Sequence, residues 1–353
     1  MRGLAAILVV FWHTPADLHF HGGHSTYLAV DFFFCLSGFV IAFSYEARLR
    51  QTFGLKRFTV ARLIRLYPVY LLGISLGAFS RIILHNTRVG PAHFLLVFCI
   101  QMLILPPMRL WPSISLFPMD DPAWSMMLEL FANLVYGWAV VKQLATSRHL
   151  VAVYLFSVMV MAYRVADGGT VAVGSQATWV SLLGFVRVAL SFVAGVLMFR
   201  LFRRRAITPW SGYRAGITAA AIALITVMLI LQPIKPIQSE FLSLCTVALF
   251  FPVLIYLGAF CHVSTGWSRI CSLLGDTSYP LYLLHVPLLS LLYTQPVLHA
   301  ALSNPVLRVA LPVCVLPIVL AVSYMAFRYC DAPVRSFLTR RYNSYLERTA
   351  IPS

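Results

Sequence analysis

Charged residues are scarce in this chain, and acidic residues are the scarcest. Only 11% of the 353 residues are charged, and Asp and Glu together number 11 against 27 Lys and Arg. With 60% hydrophobic residues, this balance excludes a soluble globular domain and predicts a polytopic membrane protein. The net charge of +16 would suggest nucleic acid in a soluble chain. Here the basic residues cluster in short loops between apolar runs, so we expect a lipid bilayer as partner and no nucleic acid.

A second absence concerns paired cysteines and metal signatures. The seven cysteines include no C-x-x-C pair, and several fall inside apolar runs, so neither a disulfide framework nor a zinc site is predicted. One loop carries His19, His21 and His24 beside Asp17. Imidazoles can bind divalent metals, but this spacing matches no strong signature, and we predict no metal.

Long apolar runs predict an all-α bundle of about ten transmembrane helices, since each run of about 17 to 25 residues can cross a bilayer. The runs lie at 3–20, 27–45, 63–84, 124–141, 150–166, 180–199, 214–232, 240–260, 275–294 and 306–327. Most Lys and Arg then fall on one side, which predicts that both termini are cytoplasmic. Counting 94–105 as a further span would move basic clusters outside, so we predict a short re-entrant or interfacial helix there.

Arg2 and His13 flank the first apolar run. Eleven helical steps turn through about 1100° and rise about 16 Å, so both side chains share one face. Arg2 then lies near a membrane surface and His13 near mid-bilayer, where an ionisable residue is costly and by default marks a functional path. The alternative is a helix-end arginine and a histidine hydrogen-bonded to a neighbouring helix.

Two further patterns place charge near the membrane. Arg62 and Arg65, at i and i+3, offer a double fork of donors suited to phosphate or pyrophosphate, or else act as positive-inside anchors. Glu129 lies about a turn or more into the fourth span, below Trp124 at the interface. Arg187 falls within a span.

The second span combines a carboxylate with small residues. Asp31, near the outer end, needs a partner or a water-filled cavity. Ser37 and Gly38 allow a neighbouring backbone or a ligand to approach closely, ordinary helix packing being the alternative. His285, in the ninth span, has the same two interpretations as His13, and a structural role is favoured because no arginine stands eleven residues away.

Together these elements resemble the acyltransferase type 3 family of integral-membrane acyltransferases. The matching elements are Arg2-x10-His13, Phe33-Phe34-x-x-Ser37-Gly38, Arg62-x-x-Arg65, Trp124-Ser125-x-x-x-Glu129 and Ser278-Tyr279 to His285. The resemblance implies a bacterial inner-membrane enzyme that moves an acyl group, commonly acetyl, from cytoplasmic acyl-CoA to a hydroxyl of a surface or secreted glycan. Acyl-CoA (acetyl-CoA) is then a co-substrate, and no cofactor is bound permanently.

The resemblance also sets expectations for individual residues. The Arg-x10-His pair is needed for activity in that family, and the Arg-x-x-Arg motif lies where the donor would bind. The chain departs from the family at Asp331, where a Glu is common. We expect a single membrane domain over 1–353 without a C-terminal hydrolase-like domain.

Joining these lines gives a mechanistic hypothesis. Phosphates of the donor stay at the arginine-rich inner rim, and the pantetheine arm carries the thioester towards His13. The ordinary pKa of an imidazole, about 6.5, suits a general base at neutral pH. His13 then deprotonates the acceptor hydroxyl, with Glu129 or Asp31 orienting the ring, and an acyl-histidine intermediate is the alternative route.

The predicted site therefore has three parts. The catalytic candidates are His13, Glu129 and Asp31. The acyl-CoA-binding candidates are Arg2, Arg62, Arg65, Ser37 and Gly38. Further candidates are Trp124, Ser125, Tyr279 and His285.

Two other functional classes compete with an enzyme. A transporter or flippase of a lipid-linked sugar would also need many spans and intramembrane charges, but it predicts inverted repeats and paired broken helices, which the sequence does not clearly show. A receptor or scaffold offers no reason for the spacing of Arg2 and His13.

Overall fold

The structure, a computed structural model, describes residues 2–14, 26–51, 53–87, 89–112, 115–204, 236–260, 265–295 and 303–349. In these ranges the regular structure is helical, apart from an isolated antiparallel bridge between Ser115 and Gln176. The all-α prediction is therefore confirmed. The histidine-rich loop and the predicted span 214–232 lie outside the described residues.

The helices follow one another with short connections. The first six are α1 (Arg2–Trp12), α2 (Ala29–Leu49), α3 (Leu55–Ile83), α4 (Pro91–Met102), α5 (Ala123–Val141) and α6 (Ser147–Ala166). The next five are α7 (Leu183–Arg204), α8 (Ser239–Gly258), α9 (Thr265–Tyr293), α10 (Pro305–Met325) and α11 (Ala332–Thr349).

The chain is a multi-pass membrane protein. Seven helical segments of its described part are long and apolar enough to cross a bilayer, and the last of them runs from α10 into α11. Helix α4 is short, as expected for 94–105. Helix α1 ends at Trp12, earlier than the predicted bound of the first span. Helix α9 has 29 residues, but its polar side chains and two internal prolines make it less apolar than the seven candidate membrane spans.

Helices α2 and α7 pack along each other at very short distance. A Cβ added to Gly38 would lie 2.0 Å from the backbone oxygen of Phe192, and one added to Gly195 would lie 1.8 Å from that of Cys35. Only glycine allows the two backbones to approach so closely. This contact corrects the donor-binding prediction for Gly38, because the residue faces α7 and serves helix packing.

Five helices enclose the candidate site. Helix α1 contacts α2 and α9, α3 contacts α5 and α9, and α2 contacts α5, so the five form a closed ring. The remaining helices support this ring from outside, with α7 behind α2 and α10 behind α9. The ring brings together side chains that are far apart in the sequence.

Candidate active site

A cavity lies inside the ring of α1, α2, α3, α5 and α9. Its empty volume is about 850 Å³, counting its open mouth. The wall on α2 is mainly apolar, and the other helices contribute most of the polar side chains. The predicted residues that line it are Arg2, Ser37, Arg62, Arg65, Ser125, Glu129 and Tyr279.

One end of the cavity is strongly cationic. Arg2, Arg62 and Arg65 converge there from α1 and α3, and each has a buried guanidinium nitrogen with no hydrogen-bond partner among the described residues. The guanidinium of Arg65 also lies over the ring of Tyr279, 5.3 Å from its centroid, and 3.8 Å from the carboxylate of Asp331. Unused donors on fixed arginines are suited to an anionic ligand such as a phosphate group.

Glu129 belongs to this cavity and not to His13. Ser37 Oγ donates a hydrogen bond of 2.7 Å to Glu129 Oε1, and Arg62 Nη2 lies 3.5 Å from the same oxygen. The carboxylate therefore holds Arg62 and Ser37 in place across three helices. The predicted role of Glu129 in orienting His13 is wrong, because its hydrogen bonds within the described chain go elsewhere.

Asp31 is likewise engaged away from His13. Its carboxylate accepts hydrogen bonds from Arg187 at 2.5 to 3.1 Å and from Ser191 at 3.2 Å. Arg187 also lies 5.6 Å from the ring centroid of Trp124, so the predicted candidate Trp124 contributes to this buried ion pair. Asp31 therefore joins α2 to α7, and its predicted role as an orienting group for His13 is wrong.

The partner of His13 is His285. His13 lies in the turn after α1, and its Nδ1 is 3.0 Å from the carbonyl oxygen of Val9 and 3.1 Å from His285 Nε2. The two rings meet edge to face with centroids 4.8 Å apart. His285 is fully buried, and its Nδ1 lies 3.1 Å from the carbonyl oxygen of Leu281. The structure thus places a candidate that the sequence favoured as structural directly beside the candidate base.

Tyr282, which is not among the predicted site residues, connects the cavity with the histidine pair. It lines the cavity, its hydroxyl lies 2.6 Å from Ser125 Oγ, and its ring centroid lies 6.0 Å from that of His285. His13 is not among the lining residues of the described chain, so the expected open path from Arg2 ends at Tyr282. One signal was available, because Tyr279, Tyr282 and His285 are spaced by three and share a face of α9.

Two acidic residues, Asp120 and Asp121, lie in the loop before α5 and interact with the residues just described. Asp121 accepts a hydrogen bond of 2.6 Å from Ser115 and interacts electrostatically with His13 and Tyr282. Asp120 is fully buried, and its carboxyl oxygens have no hydrogen-bond partner in the described chain. Burial, with a smaller contribution from Asp121, raises the pKa of Asp120 well above its usual range.

The chain is similar to known proteins over most of its length. The family model described as an acyltransferase domain, that of the type 3 acyltransferases, matches residues 1–328. A protein from Rhizobium radiobacter, named "Protein 2 in picA locus", is 35% identical over 182 residues, which cover 47% of this chain and 92% of that protein. No solved structure matches the chain.

Proposed function

Because this chain belongs to the acyltransferase type 3 family, we propose that it is an O-acyltransferase. It takes an acyl group, acetyl in the simplest case, from cytoplasmic acyl-CoA and places it on a hydroxyl of a surface or secreted glycan. The proposed location is a bacterial inner membrane. The observation that carries the proposal is the cavity that joins three arginines with unused donors to the tyrosine beside the histidine pair.

The charge of the inner end supports an acyl-CoA donor. Coenzyme A carries a pyrophosphate and a 3'-phosphate at one end, and guanidinium groups bind such oxygens through paired, charge-assisted hydrogen bonds. Arg2, Arg62 and Arg65 offer these donors from two helices, while Glu129 keeps Arg62 in place. A donor without anionic groups would leave the unpartnered guanidinium nitrogens of these residues buried without an acceptor, which is costly.

The shape and lining of the cavity support a long, flexible donor arm. The cavity is lined by the three arginines and, on α9, by Tyr282. Phe33, Leu36 and Val40 of α2 give the wall an apolar character, which suits the methylene and amide chain of pantetheine. With the phosphates at the arginines, the thioester end of the arm points towards Ser125 and Tyr282.

The chemical step is assigned to His13. Its Nε2 takes the proton of the acceptor hydroxyl, the hydroxyl oxygen bonds to the thioester carbonyl carbon, and the carbon–sulfur bond breaks. The leaving sulfur takes up a proton as free CoA forms. Because Tyr282 lies between the cavity and the histidine pair, this step requires its side chain to move out of the path of the thioester. Attack by His13 itself, through an acyl-histidine, would use the same contact.

The test follows the acyl group. Labelled acetyl-CoA is incubated with inside-out vesicles that contain the protein, and alkali-labile label on glycan is measured together with free CoA. We expect transfer by the wild type and a loss of about 100-fold or more in His13→Ala, as for removal of a general base. His149→Ala is the matched control, because His149 is exposed at the start of α6 and does not line the cavity. Full transfer by His13→Ala would contradict the assignment.

Donor binding is tested separately with purified protein and acetyl-CoA. Arg2→Gln should weaken binding by about tenfold or more, the value of a hydrogen bond to a charged group. Arg57→Gln, an exposed arginine at the start of α3, is the control. His13→Ala should leave binding intact. Equal binding by the two arginine variants would exclude the proposed phosphate site.

The transporter hypothesis receives no support from these observations. The family is one of acyltransferases, and the polar groups along α9 lead to paired, hydrogen-bonded imidazoles suited to proton transfer.

A further inference from the structure

The contact between His13 and His285 carries information about protons. In each histidine, Nδ1 faces a backbone carbonyl oxygen. His13 Nδ1 lies 3.0 Å from Val9 O, and His285 Nδ1 lies 3.1 Å from Leu281 O. A carbonyl oxygen only accepts hydrogen bonds, so each Nδ1 must carry the proton that is donated. A neutral imidazole has one such proton, and its other nitrogen, Nε2, is then an acceptor.

The contact between the rings agrees with this assignment. His285 Nε2, without a proton, lies 3.1 Å from His13 Nδ1 and accepts from it. The Nδ1 proton of His13 is thereby shared between Val9 O and His285 Nε2. The opposite tautomer of His13 would place an unprotonated Nδ1 against two acceptors, which is unfavourable. The pair is thus compatible with one neutral arrangement, in which Nε2 of His13 is unprotonated.

We propose that His285 is a positioning residue for His13. The carbonyl of Leu281 sets the tautomer of His285. His285 and the carbonyl of Val9 together set the tautomer of His13, and His285 fixes the orientation of its ring from the neighbouring helix. The basic Nε2 of His13 is then presented to the acceptor hydroxyl. This inference rests on the proposed function, and it assigns to His285 the orienting task that a carboxylate performs in many catalytic triads.

The surroundings explain why a second imidazole suits this task. His285 is fully buried on α9 between Leu281 and the ring of Tyr282, and an ion at that depth would be costly. A neutral acceptor fixes the ring of His13 without that cost. The acidic group that interacts with His13 is Asp121 of the loop before α5. The carboxylate of Asp121 accepts a hydrogen bond from Ser115. The side chain hydrogen-bonded to His13 Nδ1 is that of His285.

The test compares three replacements of His285 that differ in reach. His285→Gln keeps an amide oxygen at about the distance of Nε2, so it can still accept from His13 Nδ1. His285→Asn has the same amide on a side chain shorter by one carbon, and His285→Leu fills the space without an acceptor. Transfer of label from acetyl-CoA is measured in vesicles at saturating donor, and acetyl-CoA binding and thermal unfolding are measured on purified protein.

We expect kcat to fall by about tenfold or more in His285→Leu and His285→Asn, as for loss of a group that orients a general base. In His285→Gln it should stay within about fivefold of wild type. Acetyl-CoA binding should be unchanged in all three. In the His13→Ala background, His285→Leu should cause no further loss, because the residue acts only through His13.

Two results would overturn the inference. Wild-type transfer by His285→Leu would show that no orienting contact is needed. Equal loss in all three variants, in proportion to lowered thermal stability, would show that His285 only packs. Absence of acetyl-CoA binding and transfer in the wild type would instead contradict the proposed function, so the two failures are distinguishable.

Discussion

Charged side chains are paired where α2 packs against α7, a contact that we call the seam, whereas those of the cavity keep donors without a partner in the described chain. We define the seam by Asp31 and Gly38 of α2 and by Arg187 and Gly195 of α7. In the seam, the carboxylate and the guanidinium are buried and hydrogen-bonded to each other. In the cavity, Arg2 and Arg62 keep buried nitrogens without a partner in the described chain. Satisfied charges fix a fold, whereas unsatisfied donors are available for a ligand.

Neighbouring residues of α2 can have different roles, one lining the cavity and the next packing against α7. Ser37 faces the cavity and bonds to Glu129, while Gly38, the next residue, faces α7. Successive side chains of a helix point about 100° apart, so adjacent residues belong to different surfaces. If this division is correct, changes in the seam should lower stability without altering donor binding by folded protein.

The largest expected effect in the seam is that of breaking its ion pair. Asp31→Asn leaves Arg187 buried without its counter-charge, and we expect a loss of about 3 to 5 kcal/mol in the free energy of unfolding. Unfolding in detergent micelles measures this loss. Asp167→Asn, at an exposed carboxylate, should change stability little. If Asp31→Asn is as stable as the wild type but has lost acyl transfer, Asp31 acts in catalysis, and the division between seam and cavity is wrong.

A smaller effect is expected where the two backbones touch. In Gly38→Ala the new methyl group would lie 2.0 Å from Phe192 O, so α2 and α7 must separate. Overpacking of this kind costs about 1 to 3 kcal/mol. Gly275→Ala is the matched control, because a Cβ at Gly275 of α9 meets open space. Thermal unfolding of the two variants tests the seam, and equal midpoints would contradict the tight packing.

Much of this architecture is predictable from the sequence. Hydrophobic runs predict the helices, because a bilayer demands a minimum apolar length for each span. The spacing within Arg62-x-x-Arg65 and within Arg2-x10-His13 predicts which side chains share a face, because helical periodicity is local. Arg62 and Arg65, three residues apart on α3, accordingly both line the cavity.

Contacts between distant helices are not predictable in the same way. His13 and His285 are 272 positions apart, and no local pattern states which helix α1 packs against. The pair of Asp31 and Arg187 had a signal, because two lone charges inside spans each need a partner. Both residues stand out in the sequence as charges inside apolar runs, but no local pattern joins them. Glu129 was assigned to the wrong partner for the same reason.

The smallest expected effect concerns the loop before α5 and its dependence on pH. The pKa of Asp120 is raised in the folded protein, so the unfolded chain gives up this proton at lower pH than the folded chain does. The contribution of Asp120 to stability is therefore fully present below the ordinary pKa of about 4 and is lost as pH rises through the raised value. Asp120→Asn removes this titration and should flatten the dependence of the unfolding midpoint on pH.

Asp167→Asn serves as the control for this last measurement, because Asp167 is an exposed carboxylate outside this loop, whereas Asp121 itself contributes to the raised pKa of Asp120. Near neutral pH, Asp120→Asn should equal or exceed the wild type in stability, since it replaces an unpartnered buried carboxyl by a group that cannot ionise. A steeper pH dependence in Asp120→Asn would show that the carboxylate is stabilised in the folded protein. Asp120 would then resemble the paired charges of the seam and not the unpartnered donors of the cavity.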